Sequence, residues 1–306
     1  MRDDHLEANR RRWDELVPVH VGSAFYDVEG FKAGTNRFLP PWILSELGSV
    51  QGRDLVHLQC HFGMDTLSLA RQGARVTGLD FSRPAVEAAR RLAGEIGVDA
   101  EFVQADVHDA VAALDGRQFD IVFTGLGALC WLPDIRTWAN VVAPLVRPGG
   151  FLYLVEFHPV MWTFAWGEEH VCANYLERAE PYVDEEPGDY AVSDVKLDAP
   201  VSYEWNHGLG EIITALIDAG LRLRFLHERV ESVYNQTGFL VEREPGTWVM
   251  PEGELPMLFS LRADRLAGSG DRLADSGDRP AGSGDRRSAR GSRRAPGSGT
   301  GTRHRP

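Results

Sequence analysis

The feature that most constrains this chain is a strand followed by a sharp turn, a helix start and a second strand. The run 54–58 is rich in apolar residues, as in a strand covered on both faces, and the turn after it contains Gly63. The second strand, 76–80, ends on the carboxylate of Asp80, which lies 17 residues after Gly63. A nucleotide-binding βαβ unit uses a spacing of roughly 20 residues between these two features. The segment therefore predicts such a unit, with Asp80 available to ribose hydroxyls.

The turn itself argues against a pyrophosphate ligand. Dinucleotide-binding turns follow the pattern G-x-G-x-x-G, because glycines let the backbone approach the phosphates. In this chain Gln59, His61 and Phe62 carry side chains where such a turn needs none. Only Cys60 and Gly63 are small. A ligand that has a ribose but no phosphate suits this turn better, and S-adenosylmethionine is a common ligand of that kind.

Five landmarks, in order along the chain, resemble those of the class I S-adenosylmethionine-dependent methyltransferases over roughly residues 10–262. In the family's loop, D-x-G-x-G-x-G, the last glycine matches Gly63. Here His57 replaces the acid, and Gln59 and His61 replace two glycines. Asp80 resembles the ribose-binding acid of the family. The loop also looks like that of a bacterial subgroup with a variant LQCHFG string, so the missing glycines are interpreted as a subtype. The other landmarks are the adenine-binding strand end 104–106, the fourth strand 119–123 and the turn 145–150.

Predicted strands and helices alternate through the body of the chain, which indicates an α/β fold with a doubly wound, mostly parallel sheet. Ser82 and Pro84 are typical of a helix start, and Gly97 is typical of a helix end. The resemblance implies seven strands, of which the last is antiparallel and lies between its neighbours. Further strands are predicted at 101–104, 119–124, 151–157, 221–230 and 256–261, and further helices at 109–114, 135–145 and 211–219.

The N-terminal segment, residues 1–50, is predicted to be a helical lid. In related enzymes such a segment often closes over the cofactor, as the resemblance implies. His20, Phe25 and Tyr26 would then face the site, although plain packing of these residues on the sheet is an equally good interpretation. The predicted elements of the segment are a helix at 5–16, a loop at 17–32 and a short helix at 42–47.

Residues 159–210 separate the fifth strand from the next helix and are predicted to form a cap over the substrate. Connections this long within a compact domain are usually functional. An alternating pattern at 191–205 predicts a small hairpin in the cap. Its many aromatic side chains suit a planar or cationic small molecule, although packing within the insertion would use the same residues. The cap divides the core into a cofactor-binding part, 51–158, and a C-terminal part, 211–263.

The C-terminal residues 264–306 differ in composition from the rest of the chain. They contain few large apolar residues and repeat the strings LAGSGDR, LADSGDR and PAGSGDR. Gly and Ser break a helix and no second apolar position recurs, so the seven-residue period is not a coiled-coil heptad. This composition predicts a disordered tail; weak binding to anions or to the protein's own body is the alternative.

The net charge of −13 is the sum of two parts of opposite sign. The tail holds ten arginines and five aspartates, so residues 1–263 carry a charge of −18. An acidic body argues against a nucleic-acid partner and favours a neutral or cationic substrate.

Length and composition predict a cytoplasmic protein without a membrane partner. A chain of 306 residues with 43% apolar content can fill the core of one large α/β domain. It has no apolar run of about 18 residues, and its N-terminus lacks a signal-peptide core. Cys60, Cys130 and Cys172 lie far apart and form neither a zinc pattern nor a disulfide framework, so no metal site is predicted.

S-adenosylmethionine is the expected cofactor, and the resemblance implies which residues bind each part of it. Asp80 would accept hydrogen bonds from the ribose hydroxyls. Asp106 and the Val107 backbone would bind the adenine, and Phe81 would line its ring. Around the methionine part the expected residues are Gln59, Cys60, His61 and Gly63, with Gly125 and Leu126 below it.

Methyl transfer from a sulfonium is an in-line displacement, so the protein must chiefly position the acceptor and exclude water. A base helps when the acceptor has a proton to lose. His158 follows the predicted strand 151–157 at the sheet edge where open α/β sheets bind ligands, and it is the first candidate base. His207 resembles a position that often borders the acceptor and is the second. Glu156 could act as a base or orient His158; a structural role is the alternative for each of these residues.

Three functions are compatible with these observations. The leading one is methyl transfer to a hydroxyl or amine of a small molecule. The missing glycines favour, as an alternative, a catalytically silent binding or partner protein. An NAD-dependent oxidoreductase would use the same kind of sheet, but the absent G-x-G-x-x-G and the seventh-strand candidate at 255–261 argue against it. The methyl acceptor and the oligomeric state do not follow from these motifs.

Overall fold

The structure is a computed structural model that describes residues 2–36, 38–164, 166–167, 169–185, 188–253 and 255–267. Its eleven strands within this part of the chain form one large sheet and two small hairpins. The strands are β1 Asp54–Leu58, β2 Arg75–Asp80, β3 Glu101–Gln104, β4 Phe119–Thr124, β5 Val146–Phe157, β6 Tyr182–Asp184, β7 Ser202–Glu204, β8 Arg222–Arg229, β9 Val241–Glu244, β10 Thr247–Val249 and β11 Leu258–Asp264.

The large sheet has the strand order β3-β2-β1-β4-β5-β11-β8. The strands from β3 to β5 run parallel to one another, while β11 is antiparallel to both of its neighbours, β5 and β8. This arrangement confirms the predicted seven-stranded, mostly parallel sheet and the predicted place of its last strand. It also differs from the sheet expected of an NAD-dependent oxidoreductase.

Helices cover both faces of the sheet, as its alternating apolar side chains require. Val56, Val122 and Leu152 pack with two helices, α7 (Ile135–Leu145) and α8 (Leu209–Asp218), on one face. Leu55, Ile121 and Tyr153 pack with α3 (Pro41–Leu47) and α4 (Met64–Arg71) on the other. All six side chains are fully buried. The helices are α1 Arg2–Gly22, α2 Val28–Ala33, α3 Pro41–Leu47, α4 Met64–Arg71, α5 Arg83–Ile96, α6 Ala110–Ala113, α7 Ile135–Leu145 and α8 Leu209–Asp218.

Strand register assembles the candidate site. Leu58 at the end of β1 pairs with Leu79 in β2 and with Thr124 in β4. The residues that follow these three strands therefore lie at one edge of the sheet. The turn at 59–63, Asp80 and Gly125 come together there, although they are far apart in sequence.

The N-terminal segment is more helical than the sequence predicted. The first helix, α1, continues to Gly22, and α2 occupies part of the predicted loop at 17–32. Valines and Pro18 disfavour this helix locally, but tertiary contacts override that preference. Asn9, which is almost fully buried, donates to the Tyr203 carbonyl at 2.7 Å and accepts from the Tyr203 N–H at 2.8 Å. The cap thus docks on α1 and stabilises it.

The hairpin predicted at 191–205 is wrong in its first strand. Strand β7 lies in that range, but its antiparallel partner is β6, at Tyr182–Asp184. Alternation within a short segment marks a strand, but it does not identify the partner, because a long connection can close over any number of residues.

The body of the chain extends slightly beyond the boundary predicted at residue 264. Strand β11 includes Asp264, and the N–H of Arg265 donates to the Gly150 carbonyl at 3.0 Å. The remainder of the predicted tail, residues 268–306, lies outside the described residues. Within the described part of the chain, no helix is long and apolar enough to cross a membrane, and the cytoplasmic location stays a prediction.

Candidate functional site

The turn between β1 and α4 has the backbone of a glycine loop, although two of its three left-handed residues carry side chains. The φ angle is 56° at Gln59, 50° at His61 and 83° at Gly63, which are three glycine positions of the family pattern. A left-handed backbone costs a residue with a Cβ about 1–2 kcal/mol. A Cβ on Gly63 would in addition lie 2.8 Å from a ring carbon of Phe102. The variant loop therefore keeps the path of a glycine loop at a cost in strain.

Gln59 connects the turn to the segment that follows β4. Its Nε2 donates to the Ala128 carbonyl at 2.9 Å, whereas its Oε1 is buried and has no hydrogen-bond partner within the described residues. A buried amide oxygen without a donor costs free energy, which a donor on a bound ligand would recover. Gln59 thus offers an acceptor at this edge of the sheet. The neighbouring Cys60 is buried, and this burial raises the pKa of its thiol.

Asp80 lies against the turn, at the end of β2. One carboxylate oxygen accepts from the His61 N–H at 2.7 Å, and the other accepts from the Ser82 N–H at 2.9 Å. Burial raises the pKa of Asp80 to about 6, although both N–H groups favour its charged form. Each oxygen keeps a further lone pair for a ligand hydroxyl. The carboxylate is therefore oriented by the protein and remains able to bind a ribose.

The predicted adenine-binding residues follow β3 at the same edge. Asp106 begins a short 3-10 turn at Val107–Asp109, and its Oδ1 accepts from the His108 N–H at 2.8 Å and contacts His108 Nδ1 at 2.7 Å. Burial acts to raise the pKa of Asp106, but the hydrogen bonds from His108 outweigh it and leave that pKa below its ordinary value. Phe81 and Gln104 lie close by, since Gln104 Nε2 donates to the Phe81 carbonyl at 3.4 Å.

Asp65 is a residue of this site that sequence reasoning missed. It lies in the first turn of α4, two residues after Gly63. Burial raises its pKa to about 7, and no basic side chain is among the groups that influence it. An acid at the start of a helix is common, so its identity alone gave no signal. Its position directly after the loop, within a buried part of the helix, is the signal that could have identified it.

A hydrogen-bonded series of three side chains joins the turn, α1 and the cap. Asp189 Oδ1 lies 2.8 Å from His20 Nε2, and His20 Nδ1 lies 2.9 Å from His61 Nε2. His20 is completely buried. Tyr26 packs against both histidines, with ring centroids 5.1 Å from His20 and 5.9 Å from His61. The structure thus brings His20 and Tyr26 to the turn, and the closing of a lid over the cofactor stays a prediction.

The directions of the hydrogen bonds in this series follow from the carboxylate of Asp189. Because Asp189 can only accept, His20 Nε2 carries a proton when His20 is neutral, and His20 Nδ1 then accepts from His61 Nε2. The lone pair of His61 is left on Nδ1. Burial and the neighbouring His20 hold the pKa of His61 well below its ordinary value, so this ring is neutral near pH 7.

Glu156, a candidate base from the sequence, is bound to the segment after β4. The carboxylate is buried, and burial raises its pKa although four N–H groups favour the charged form. This saturation indicates a structural anchor for the start of the short 3-10 turn at Leu129–Trp131. The four donors, at 2.5 to 3.0 Å, are the backbone N–H groups of Gly127, Ala128, Leu129 and Phe157.

His158, the first candidate base, has a partner at each ring nitrogen. Nε2 lies 3.0 Å from Glu228 Oε1 on β8, and Nδ1 accepts from the Val160 N–H at 3.2 Å. Burial lowers the pKa of His158, while the partly exposed Glu228 acts in the opposite direction. These contacts connect the end of β5 to β8, and they do not include any residue of the turn at 59–63.

His207, the second candidate base, precedes α8. It is buried, its Nε2 donates to the Leu132 carbonyl at 2.7 Å, and burial lowers its pKa. Its Nδ1 faces Glu211 at 3.7 Å. The structure therefore gathers Gln59, His61 and Asp80 into one site, whereas the three candidate bases have their own separate contacts.

Comparisons with known proteins agree with this architecture. The family described as "Methyltransferase domain" matches residues 56–152, which include the turn and Asp80. The ubiquinone biosynthesis O-methyltransferase of Erwinia tasmaniensis is 34% identical over 166 residues, which are 53% of this chain and 66% of that protein. The protein of the same name from Salmonella arizonae shows the same identity and coverage. The chain thus spans slightly less than two thirds of the length of these curated relatives.

Solved structures share the fold at low sequence identity. An S-adenosylmethionine-dependent methyltransferase from Mesorhizobium loti has a TM-score of 0.52 at 22% identity, and the match covers 74% of this chain and 96% of that one. A putative enzyme of the same type from Listeria monocytogenes has a TM-score of 0.53 at 16% identity, with 74% and 95% covered. Together with the sheet order, these matches show that the chain has the fold of the S-adenosylmethionine-dependent methyltransferases, and that its residues 56–152 match the methyltransferase domain family.

Proposed function

We propose that this protein transfers a methyl group from S-adenosylmethionine to a hydroxyl or amine of a small molecule. The observation that carries the proposal is the hydrogen bond of 2.7 Å between the His61 N–H and Asp80, which joins a glycine-type turn to a buried acid. A turn and an acid in this relation can hold a nucleoside without a phosphate. The buried and unpartnered Gln59 Oε1 supports the proposal, because it needs a donor from a ligand.

We assign the parts of the cofactor to this chain's residues as follows. Asp80 accepts from the ribose hydroxyls, and Asp106, the Val107 backbone and Phe81 surround the adenine. When bound, the cofactor supplies an electrophilic methyl group on a sulfonium. Asp65 is added as the partner of the methionine ammonium, because a half-buried acid with no basic partner among the described residues gains most from a cationic ligand. The methionine part is lined by Gln59, Cys60, His61 and Gly63, with Gly125 and Leu126 below it.

The acceptor is proposed to be a small aromatic molecule that carries a hydroxyl. The curated relatives are named O-methyltransferases, which favours oxygen over nitrogen. The cap and the lid supply aromatic faces: Tyr190 stacks on Tyr234 with centroids 5.4 Å apart, and Phe25 lies 5.3 Å from Tyr190. The acidic body supports a small molecule rather than a nucleic acid.

His61 is the proposed proton acceptor where the substrate hydroxyl must lose its proton. A proton taken up at His61 Nδ1 leaves a positive charge, which the hydrogen-bonded series through His20 to Asp189 stabilises. Support comes from the two short contacts of that series, 2.9 Å between His61 and His20 and 2.8 Å between His20 and Asp189. Glu156 and His158, which the sequence favoured, are proposed instead to position the ends of β4 and β5, since protein groups engage their polar atoms.

Calorimetric titration with S-adenosylmethionine, S-adenosylhomocysteine and NAD tests the proposal. We expect both sulfur ligands to bind and NAD not to bind. Asp80→Asn should weaken the sulfur ligands by about 2–4 kcal/mol, or roughly 30- to 1000-fold in Kd. Asp99→Asn, which changes an exposed acid, should leave Kd unchanged. Binding of NAD, or equal affinity in the Asp80 and Asp99 variants, would reject the cofactor assignment.

Radiolabelled methyl transfer to a panel of phenols and catechols separates the enzyme from a silent binding protein. Transfer to a panel member supports the enzyme, whereas cofactor binding without transfer to any acceptor favours the silent alternative. If His61 is the base, activity in His20→Gln and Asp189→Asn should fall, and its rise with pH should move to lower pH, because protonated His61 loses the groups that stabilise its charge. An unchanged pH profile in both variants would contradict the assignment of His61.

A further inference from the structure

Two buried acceptor atoms face each other beside the N-terminus of α8. His207 Nδ1 lies 3.7 Å from Glu211 Oε2, and neither atom has a hydrogen-bond partner within the described residues. The His207 side chain is about 2% exposed and that of Glu211 about 17%. The separation is too long for a direct hydrogen bond. The pair is thus an unsatisfied polar contact in a protein that satisfies most of its buried groups.

The tautomer of His207 makes this contact unusual. Its other ring nitrogen, Nε2, lies 2.7 Å from the Leu132 carbonyl, which can only accept, so Nε2 carries the proton. Nδ1 therefore presents a lone pair to a carboxylate oxygen that also presents lone pairs. Two such atoms repel each other unless a positive charge lies between them. A histidine whose second nitrogen donates to a backbone carbonyl is the arrangement found in most metal sites.

A second carboxylate completes the group. Glu177, on the cap, has a carboxylate oxygen within 4.8 Å of a ring nitrogen of His207 and of a carboxylate oxygen of Glu211. Charges near Glu177 include Asp134 and Arg136. Arg136 pairs with Asp218 at 3.0 Å, and Asp134 accepts from the first turn of α7. The group therefore combines one neutral imidazole with two acids.

We propose that Glu177, His207 and Glu211 bind a divalent transition-metal ion, with zinc as the preferred ion. Imidazole nitrogen and carboxylate oxygen both bind zinc at about 2.0–2.2 Å. An ion at about 2.1 Å from His207 Nδ1 and Glu211 Oε2 would subtend an angle of about 120° across their separation, close to tetrahedral. Glu177 is exposed and can move towards the ion, and water fills the remaining position.

The proposed ion joins the cap to the core. Glu177 lies within the cap, whereas His207 is near its C-terminal end and Glu211 is in the first turn of α8, which packs against α7. None of the three residues is among those assigned to the cofactor, so the site stands or falls independently of the proposed methyl transfer. The role of the ion is to hold the cap segment at 172–178 against α8.

Metal titration of the full-length protein, after removal of metals with a chelator, tests this site. We expect Zn²⁺ to bind with a stoichiometry of one in calorimetry and to raise Tm, because an ion that binds only the folded state stabilises it. Co²⁺ should give the visible absorption bands of a four- or five-coordinate ion, and Zn²⁺ should abolish them. Absence of these bands together with an unchanged Tm would overturn the proposal.

Three single variants and a matched control localise the ion. Glu177→Gln, Glu211→Gln and His207→Gln should each weaken Zn²⁺ binding by about tenfold or more, while Glu180→Gln, an exposed acid of the same segment, should not. Because Glu177 is exposed, its variant should have the Tm of the metal-free wild type, which separates loss of metal from loss of folding. Equal Zn²⁺ affinity in the wild type, Glu177→Gln and Glu211→Gln would show an adventitious ion elsewhere and reject the site.

Discussion

At the scale of single residues, the turn at 59–63 combines backbone strain with polar side chains. Gln59 and His61 adopt the left-handed backbone that glycine adopts freely, yet both side chains make polar contacts that glycine cannot make. Backbone strain of this kind persists where the surrounding structure and a function require it. We infer that the variant loop exchanges ease of folding for two polar side chains in the cofactor site.

The strain at Gln59 can be measured by comparing two substitutions. Gln59→Gly and Gln59→Ala both remove the hydrogen bond to Ala128, and they differ in whether the residue carries a Cβ. Because φ is 56°, the alanine variant should be less stable than the glycine variant by about 1 kcal/mol. Urea unfolding measures the difference. An alanine variant as stable as the glycine variant would show that the backbone relaxes when the side chain is removed.

The raised pKa of Asp65 predicts a dependence of stability on pH. Burial raises this pKa from 3.8 to about 7, so the folded protein keeps a proton that the unfolded chain has already lost. This group therefore lowers the free energy of unfolding as the pH rises from about 4 to about 7. Asp65→Asn should become more stable relative to the wild type across this range.

Chemical unfolding of the ligand-free protein between pH 4 and pH 8 measures the effect of Asp65. Buried histidines such as His57, whose pKa burial lowers to about 3, act in the opposite direction, so the difference between variant and wild type is the informative quantity. Asp99→Asn is the control and should give a flat difference. A flat difference for Asp65→Asn would contradict the burial of its charge.

At the scale of elements, the segment after β4 depends on a side chain from β5. Glu156 accepts from four backbone N–H groups, three of which belong to residues 127–129. This anchor places Gly125 and Leu126 at the same edge as the turn and lets the Ala128 carbonyl accept from Gln59. One carboxylate thus positions two parts of the proposed cofactor site.

Glu156→Gln tests whether this residue is an anchor or a base. The amide keeps one acceptor oxygen and turns a donor towards N–H groups, so we expect a loss of about 2–4 kcal/mol in the free energy of unfolding. Glu228→Gln, which changes a half-exposed acid on β8, should cost less than about 1 kcal/mol. Urea unfolding of both variants gives the comparison. Full stability of Glu156→Gln with loss of methyl transfer would instead support the base assignment.

At the scale of the whole molecule, the end of the folded body can be located by truncation. Arg265 extends the pairing of β11: its N–H donates to Gly150, its carbonyl accepts from the Gly149 N–H at 2.8 Å, and its guanidinium donates to the Val146 carbonyl at 2.8 Å. A chain that ends at Ala263 loses all of these contacts.

Truncation after Ala267 should leave Tm and cofactor affinity unchanged, because the composition of the Gly-, Ser- and Arg-rich sequence beyond it includes too few large apolar residues to offset ordering entropy. Truncation after Ala263 should cost about 2–4 kcal/mol of stability, since it removes several backbone hydrogen bonds. Calorimetric melting of both truncated proteins distinguishes them. A large loss of stability in the longer protein would assign a structural role to the tail.

The sequence alone determined the local elements and their type. Strand, turn, helix and acid at 54–80 are encoded by neighbouring residues, and so are the cap of α5 at Ser82 and its end at Gly97, where the predicted backbone geometry is present. Local hydrogen bonds and side-chain periodicity act within a few residues, so these elements could be predicted. The ribose-binding candidate Asp80 followed from the same local pattern.

Only the tertiary structure decided which distant side chains meet. Asp189 and His20 reach His61 from the cap and from α1, Glu156 engages the segment after β4, and Glu177 approaches α8 from the cap. Nothing near these residues in the sequence encodes their partners, because long-range contacts depend on strand order, crossover length and packing. The left-handed backbone at Gln59 and the raised pKa of Asp65 likewise arise from surroundings that the folded chain assembles.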